Sequence, residues 1–379
     1  MDQQTLNQDR IKSLLTLSLV PGIGPKTTRS LLDYFDDPET VLSAQPDQLR
    51  QVSGVGPKLA REISLATKTI RTDSYLELCE KNQIAIRSCF DADYPKSLIE
   101  LPNPPTILYQ YGTMVEEDTL ALAIVGSRHA TPYGKRVAEQ LARGLASAGY
   151  TIVSGLARGI DACAHRGAIA AGGRTIGVLA SGLLNIYPAE HAELAGQVRE
   201  CGALLSESAP NHPPKGGSFP QRNRIISGLS LGTIGIAADQ RSGALITARL
   251  AAEQRREVFA IPGPIDSRMS KGCHQLIRDG AKLVESVDDV LEELGPLAKP
   301  ITAETGEAVF HPGELKLNEQ ERSVLDATSV SPTDIDSIIA ATGLPASRIL
   351  ATISVLEVRR LIRRVSGNQI VRAGNFTAS

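Results

Sequence analysis

Between residues 119 and 295, short apolar runs alternate with longer amphipathic stretches. The runs are LALAIVG, YTIVSG, TIGVLA, GALLSES, LGTIGIAA, EVFAIPG and AKLVE. Most are near-continuous in Val, Ile, Leu and Ala, which is how parallel strands read when both faces are covered. The stretches between them predict helices at 134–148, 159–171, 189–200, 221–229, 244–256 and 287–294. Alternating strands and helices imply right-handed crossovers and a doubly wound, mostly parallel sheet of extended Rossmann-like α/β class. On such a sheet, ligands bind outside the carboxyl ends of the strands.

The flanks read differently. Residues 1–75 look all-helical and contain an echo, LVPGIGPKTTRSLL at 19–32 and QVSGVGPKLAREI at 51–63. This is the pattern of a tandem helix-hairpin-helix, in which glycines form a tight turn and the next helix presents backbone N–H groups to a phosphate. Gly22, Gly24 and Lys26, with Gly54, Gly56 and Lys58, are therefore candidate secondary DNA contacts. A hairpin used only for packing is the other reading. The main domain spans 76–295 and opens with a Pro-rich connector at 76–118, in which TILYQYG suggests an edge strand. Residues 296–315 read as a linker. Residues 316–379 predict three helices, the second starting at Ser331-Pro332, then a hairpin around Gly367-Asn368. That is a winged helix. Its third helix is mostly apolar with Arg348 alone basic, which favours backbone or protein contact over reading an operator.

Charge nearly balances, 40 basic against 42 acidic residues, so nucleic-acid binding must come from a local patch. Five scattered cysteines without a C-x-x-C pair suggest a reduced, cytoplasmic protein with no zinc site. The polar start is not a signal peptide, and no apolar run approaches the length of a membrane span.

The candidate chemistry lies at the strand ends. Gly126-Ser127-Arg128, Ser154-Gly155, Ser181-Gly182, Ser206-Glu207 and Arg241-Ser242-Gly243 recur at one sheet edge, a rim suited to anions. The first loop has the layout of a dinucleotide site but lacks G-x-G-x-x-G, and Arg128 stands where backbone should approach a phosphate. SFPQRNRIISGLS places Phe219 beside Arg222, Asn223 and Arg224, with Lys215 upstream. An aromatic among arginines suits a single strand, its bases on the ring and its phosphates on the guanidiniums. Taken alone, the stretch reads better as a helix start with Phe219 in the core and the arginines snorkelling; beside the anion-facing rim, the single-strand reading is favoured. Catalysis finds little support: there is no G-x-S-x-G elbow and no Walker A lysine, and Glu207 is a lone carboxylate. Asp161 and His165 sit one helical turn apart and read as a hydrogen-bonded structural pair. No cofactor is expected.

AIVGSRHATPYG, VSGLARGIDACAHRGAI, TIGVLASGLLNIYPAEH, ALLSE, FPQRNRIISGLS, RSGALITARLAAEQRREVFAIPG and KGCHQLIRDGA, in this order, closely resemble the DNA-processing protein A (DprA/Smf) family. The helical block and the winged helix resemble its longer members. The resemblance implies a non-enzymatic recombination mediator that binds single-stranded DNA. It implies a homodimer that helps load RecA onto strands coated by single-strand-binding protein, as in natural transformation. The family's pocket carries over onto Gly126, Ser127, Arg128, Phe219, Arg222, Asn223 and Arg224, with Lys215 as the nearest upstream lysine. One departure is Ala237, which stands where many members have a glutamate. The competing reading is a nucleotide-processing enzyme of the LOG phosphoribohydrolase type. It would need a PGGxGTxxE block, and RSGALITA occupies the comparable place.

Overall fold

The computed structural model describes residues 3–294 except 241, residues 301–302 and 308–309, and residues 317–372 except 330, 359–360 and 366–367. Six helices come first: α1 (Gln3–Leu19), α2 (Pro25–Phe35), α3 (Pro38–Ser43), α4 (Pro46–Leu49), α5 (Pro57–Thr69) and α6 (Thr72–Lys81). The echoed turns share one conformation, with φ +90° at Gly22 and +87° at Gly54. Gly24 and Gly56 then cap α2 and α5, each with proline in the first helical turn. Leu17, Leu31, Val41, Leu49 and Ile63 form the core of this block. Leu14 and Leu15 belong instead to a cluster with Ile107, Tyr109, Leu179 and Leu204, so α1 packs on the sheet.

β1 (Ala85–Ser88), α7 (Lys96–Ile99) and β2 (Ile107–Gly112) lead into the sheet. The elements β3 (Ala121–Gly126), α8 (Pro132–Ser147), β4 (Thr151–Ser154), α9 (Ile160–Ala170), β5 (Thr175–Leu179), α10 (Ala192–Cys201) and β6 (Ala203–Ser206) follow. Then come α11 (Ser218–Gly228), β7 (Gly232–Ile236), α12 (Gly243–Glu253), β8 (Glu257–Ala260), α13 (Lys271–Arg278), β9 (Lys282–Leu283) and α14 (Val287–Leu294). The nine strands run β1-β2-β6-β5-β4-β3-β7-β8-β9. β1–β2 and β2–β6 are antiparallel, and every pair from β6 to β9 is parallel. β2 is therefore not the edge strand that TILYQYG suggests. Leu108 and Tyr109 are buried, and β1, too short and polar to announce itself, takes the edge. Alternate residues of β3 face opposite clusters: Ala121, Ala123 and Val125 meet α11 and α12, while Leu122 and Ile124 meet α8, α9 and α14. The strand order reverses between β3 and β7, which opens a crevice at their carboxyl ends.

Two helix starts differ from the sequence pattern. α11 begins three residues earlier, at Ser218, because proline is tolerated in a first turn, so Phe219 lies on the helix. α13 is hidden in the sequence behind the Pro/Gly run IPGPIDSR.

Beyond the sheet, β10 (Ile301–Thr302) pairs with β11 (Ala308–Val309) inside the composition-defined linker. The C-terminal unit is α15 (Glu319–Asp326), β12 (Thr333–Asp334), α16 (Ile335–Thr342), α17 (Ala346–Val358), β13 (Ile362–Arg364) and β14 (Gln369–Arg372), a winged helix. Its second helix starts at Ile335, not at Pro332, because Thr333 and Asp334 pair with Ile370 and Gln369. Gly367, in the expected turn, lies outside the described residues. The apolar character of α17 follows from its packing, with Ile349, Ile353 and Leu356 in the core. No single helix among the described residues is long and apolar enough to cross a membrane.

Candidate nucleic-acid interface

The β3–α8 loop leaves the sheet at Gly126. The Ser127 hydroxyl accepts from the His129 N–H, and the Ser127 carbonyl accepts from Ile160 N–H of α9, so both ends of that residue are held. Thr131 caps α8 through the Gly134 N–H. Arg128, between these anchors, is exposed. Its guanidinium lies 4.7 Å from the centre of the Phe219 ring. Phe219 in turn meets Tyr187 edge to face, 5.9 Å between centroids. Arg128, Phe219 and Tyr187 thus line one groove with Gly155, Arg158 and Ser181. Arg158 is bound bidentately by Glu190, with Nη2–Oε2 at 2.7 Å. Tyr187 and Arg158 are among the groove residues that pattern reading did not single out; the quoted blocks LNIYPAEH and LARGID contain them.

The arginines of FPQRNR are separated by the helix. Arg222 points inward and is 6 % exposed. Its Nη1 donates to the carbonyls of Gly155, at 2.6 Å, and Val178. Asp161 lies beside it and accepts from the N–H groups of Gly155 (3.1 Å) and Ala157 (3.3 Å). Burial lowers the Arg222 pKa to about 10, with Asp161 opposing, so the group stays charged at neutral pH. Burial raises the Asp161 carboxyl, against the pull of Arg222. A Cβ at 155 would overlap the Arg222 guanidinium, so only glycine fits there. Arg224 is held by Glu207, at 2.6 and 2.8 Å. Burial raises the Glu207 pKa and Arg224 opposes it. Asn223 donates to the Gly243 carbonyl at 3.4 Å.

Several strand-end groups are engaged within the protein. The Ser154 hydroxyl is buried and donates to Ile124 O at 2.6 Å, and the Gly155 N–H belongs to Asp161. Ser206 donates to Ser181 O. Ser242 caps α12 through Ala244 N–H, and Gly243 is the first residue of that helix. Arg241 lies outside the described residues. Lys215 is exposed on the β6–α11 loop, and burial with the Lys215 charge lowers the pKa of nearby His212. Lys26 and Lys58 are exposed beside the helical-block turns and are not among the residues that line this groove.

Asp161 and His165 are not bonded to each other. The Thr175 hydroxyl donates to Ile152 O, so His165 Nδ1–H must donate to Thr175 Oγ1, at 2.7 Å. Burial pushes the His165 pKa down to about 3. Held neutral in the fold and free to protonate in the unfolded chain, it lowers stability as pH falls below about 6.5, progressively to about 3. His165→Asn, which keeps a donor and removes the titration, should cut the loss between pH 7 and 4.5 by roughly 2 kcal/mol. Identical pH dependence of the two melting curves would refute this. Among the described residues, no group of three His, Cys, Asp or Glu side chains is placed to hold a metal.

This parallel sheet with an arginine–aromatic groove at its carboxyl edge, preceded by helical hairpins and followed by a winged helix, has known counterparts. Residues 85–295 match the DNA recombination-mediator protein A family, residues 310–368 the DprA winged helix domain, and residues 14–69 the SAM-like helix-hairpin-helix tandem. The chain belongs to the DNA recombination-mediator protein A (DprA/Smf) family. Protein Smf of Synechocystis is 32 % identical over 390 residues, covering 94 % of this chain and 98 % of the relative. The X-ray structure of DNA processing protein A from Streptococcus pneumoniae superposes with a TM-score of 0.64 at 37 % identity, over 74 % of this chain and 95 % of that one. A Helicobacter pylori DNA processing protein A, whose structure concerns its single-stranded DNA binding mode, has a TM-score of 0.51 at 33 % identity, over 56 % and 95 %.

Proposed function

We propose that the chain is a recombination mediator that binds single-stranded DNA in the groove at the carboxyl edge of the sheet, and that it works without catalysis. The observation that carries this reading is Arg128 stacked on Phe219, itself against Tyr187: an exposed cation and two rings along a shallow groove. Rings offer bases a stacking face, and a forked guanidinium grips a phosphate. Arg128, Phe219, Lys215 and Asn223 meet the strand. Arg222, Arg224, Ser154 and Gly155 build the wall behind it. Membership in the family supports a wider role for the chain: a homodimer that helps RecA onto strands covered by single-strand-binding protein, as in the uptake of transforming DNA.

Anisotropy titration of the full chain should show tighter binding to oligo-dT than to a duplex of equal length. Affinity should fall with salt, with a log–log slope of about −0.7 per phosphate contacted. Equal affinity for duplex and single strand, or no salt dependence, would overturn the reading. The finer role is tested by the lag of RecA filament formation on strands coated with single-strand-binding protein. The chain should shorten it, and an unchanged lag would remove RecA loading from the proposal.

A further inference from the structure

On the other side of the β3–α8 loop lies a second cavity of about 370 Å³, among whose lining residues are Tyr133, Ile236, Ala237, Ile261, Met269 and Ser270. It shares no lining residue with the groove. Arg128 lines the groove and Thr131 lines the cavity, and three residues of chain span at most about 11 Å. The two openings therefore lie within reach of neighbouring nucleotides of one strand.

The cavity's chemistry differs from the groove's. Among the described residues no lysine or arginine lines it, and Asp266 does, which disfavours a phosphate there. Its walls are apolar, and its volume lies in the range of ligand-sized pockets, about 300 Å³ and above. Ser270 is 6 % exposed, and among the described residues its Oγ has no hydrogen-bond partner. Tyr133 stands at the rim, its Oη donating to Pro262 O at 3.3 Å. Ile265, between the lining residues Pro264 and Asp266, is 89 % exposed, an apolar side chain left in water at the mouth.

We propose that this cavity receives one base of the single strand whose phosphate Arg128 holds. A base is flat and uncharged, with donors and acceptors on its edge, which suits apolar walls and the Ser270 hydroxyl. Turning a base out of a single strand costs little, since no pairing is broken. Ala237 forms part of the cavity wall, so enlarging its side chain probes occupancy there. The inference rests on the single-strand reading of the groove.

Ala237→Leu should weaken oligo-dT binding about tenfold, and Ser270→Ala about threefold. Neither should alter binding of an all-abasic strand of equal length, which keeps its phosphates and has no bases. Permanganate should spare one more thymine per bound protein on the unaltered chain than on Ala237→Leu, since any thymine stacked on Phe219 is spared in both. The proposal is overturned if a folded Ala237→Leu protein binds oligo-dT like the parent, or if it spares as many thymines as the unaltered chain. Thymidine that binds without displacing oligo-dT would also overturn it, by showing a separate nucleoside site. Failure of the underlying reading looks different: the unaltered chain would then bind neither oligo-dT nor the abasic strand.

Discussion

Arg128→Glu should reduce affinity for oligo-dT about a hundredfold while leaving the melting temperature roughly unchanged. The side chain is exposed and, among the described residues, held by the face of Phe219, a contact contributing about 0.5–1 kcal/mol at such a site. The fold loses little without it. A bound phosphate loses a charge-assisted bond of about 1.5–3 kcal/mol and gains a repulsive carboxylate. Titration at fixed salt, paired with thermal unfolding, reads both numbers. Binding within about threefold of the parent would remove Arg128 from the interface and take the groove assignment with it.

Arg222→Met should do the reverse and act first on stability. The guanidinium ties the ends of β4 and β5 together through Gly155 and Val178, and it faces the buried carboxylate of Asp161. Methionine fills the volume but leaves that carboxylate without its countercharge. Removing one partner of a buried pair costs about 3–5 kcal/mol, or about 10 °C in melting temperature for a unit of this size. Arg222→Lys should fall almost as far, because an ammonium on a shorter reach does not reproduce the fork. Calorimetry decides the matter. An unchanged melting temperature with DNA binding lost would mean that Arg222 faces the strand after all.

The contrast between these arginines shows where the sequence stops being informative. Read as letters, Arg222-Asn223-Arg224 is one basic cluster. On a helix, successive side chains turn by about 100°, so one arginine enters the sheet and the other meets Glu207. Nothing in the run itself says which way the helix is rotated. The strand-end hydroxyls mislead similarly, since Ser154 and Ser206 look like anion donors and serve as cross-strand struts. The parallel strands were legible because continuous apolar runs have few other uses, and the echoed Gly-x-Gly-Pro-Lys turns because both need a left-handed residue. β1 and α13 were not legible, one being four residues long and the other masked by prolines. Tyr187 became a candidate only once the fold set it against Phe219.

The antiparallel strand β2 also constrains how the chain comes together during synthesis. Tyr109 pairs with Ser206, about a hundred positions later, and Leu14 waits for the same neighbourhood to form. Until β6 has left the ribosome, the helical block has its own core, but the sheet-facing side of α1 and one edge of β2 stay uncovered. Long-range pairing of this kind slows folding and leaves sticky strands uncovered meanwhile. A chain truncated before residue 203 should therefore accumulate as aggregate or be degraded, even though it carries the entire helical block and the Arg128 loop.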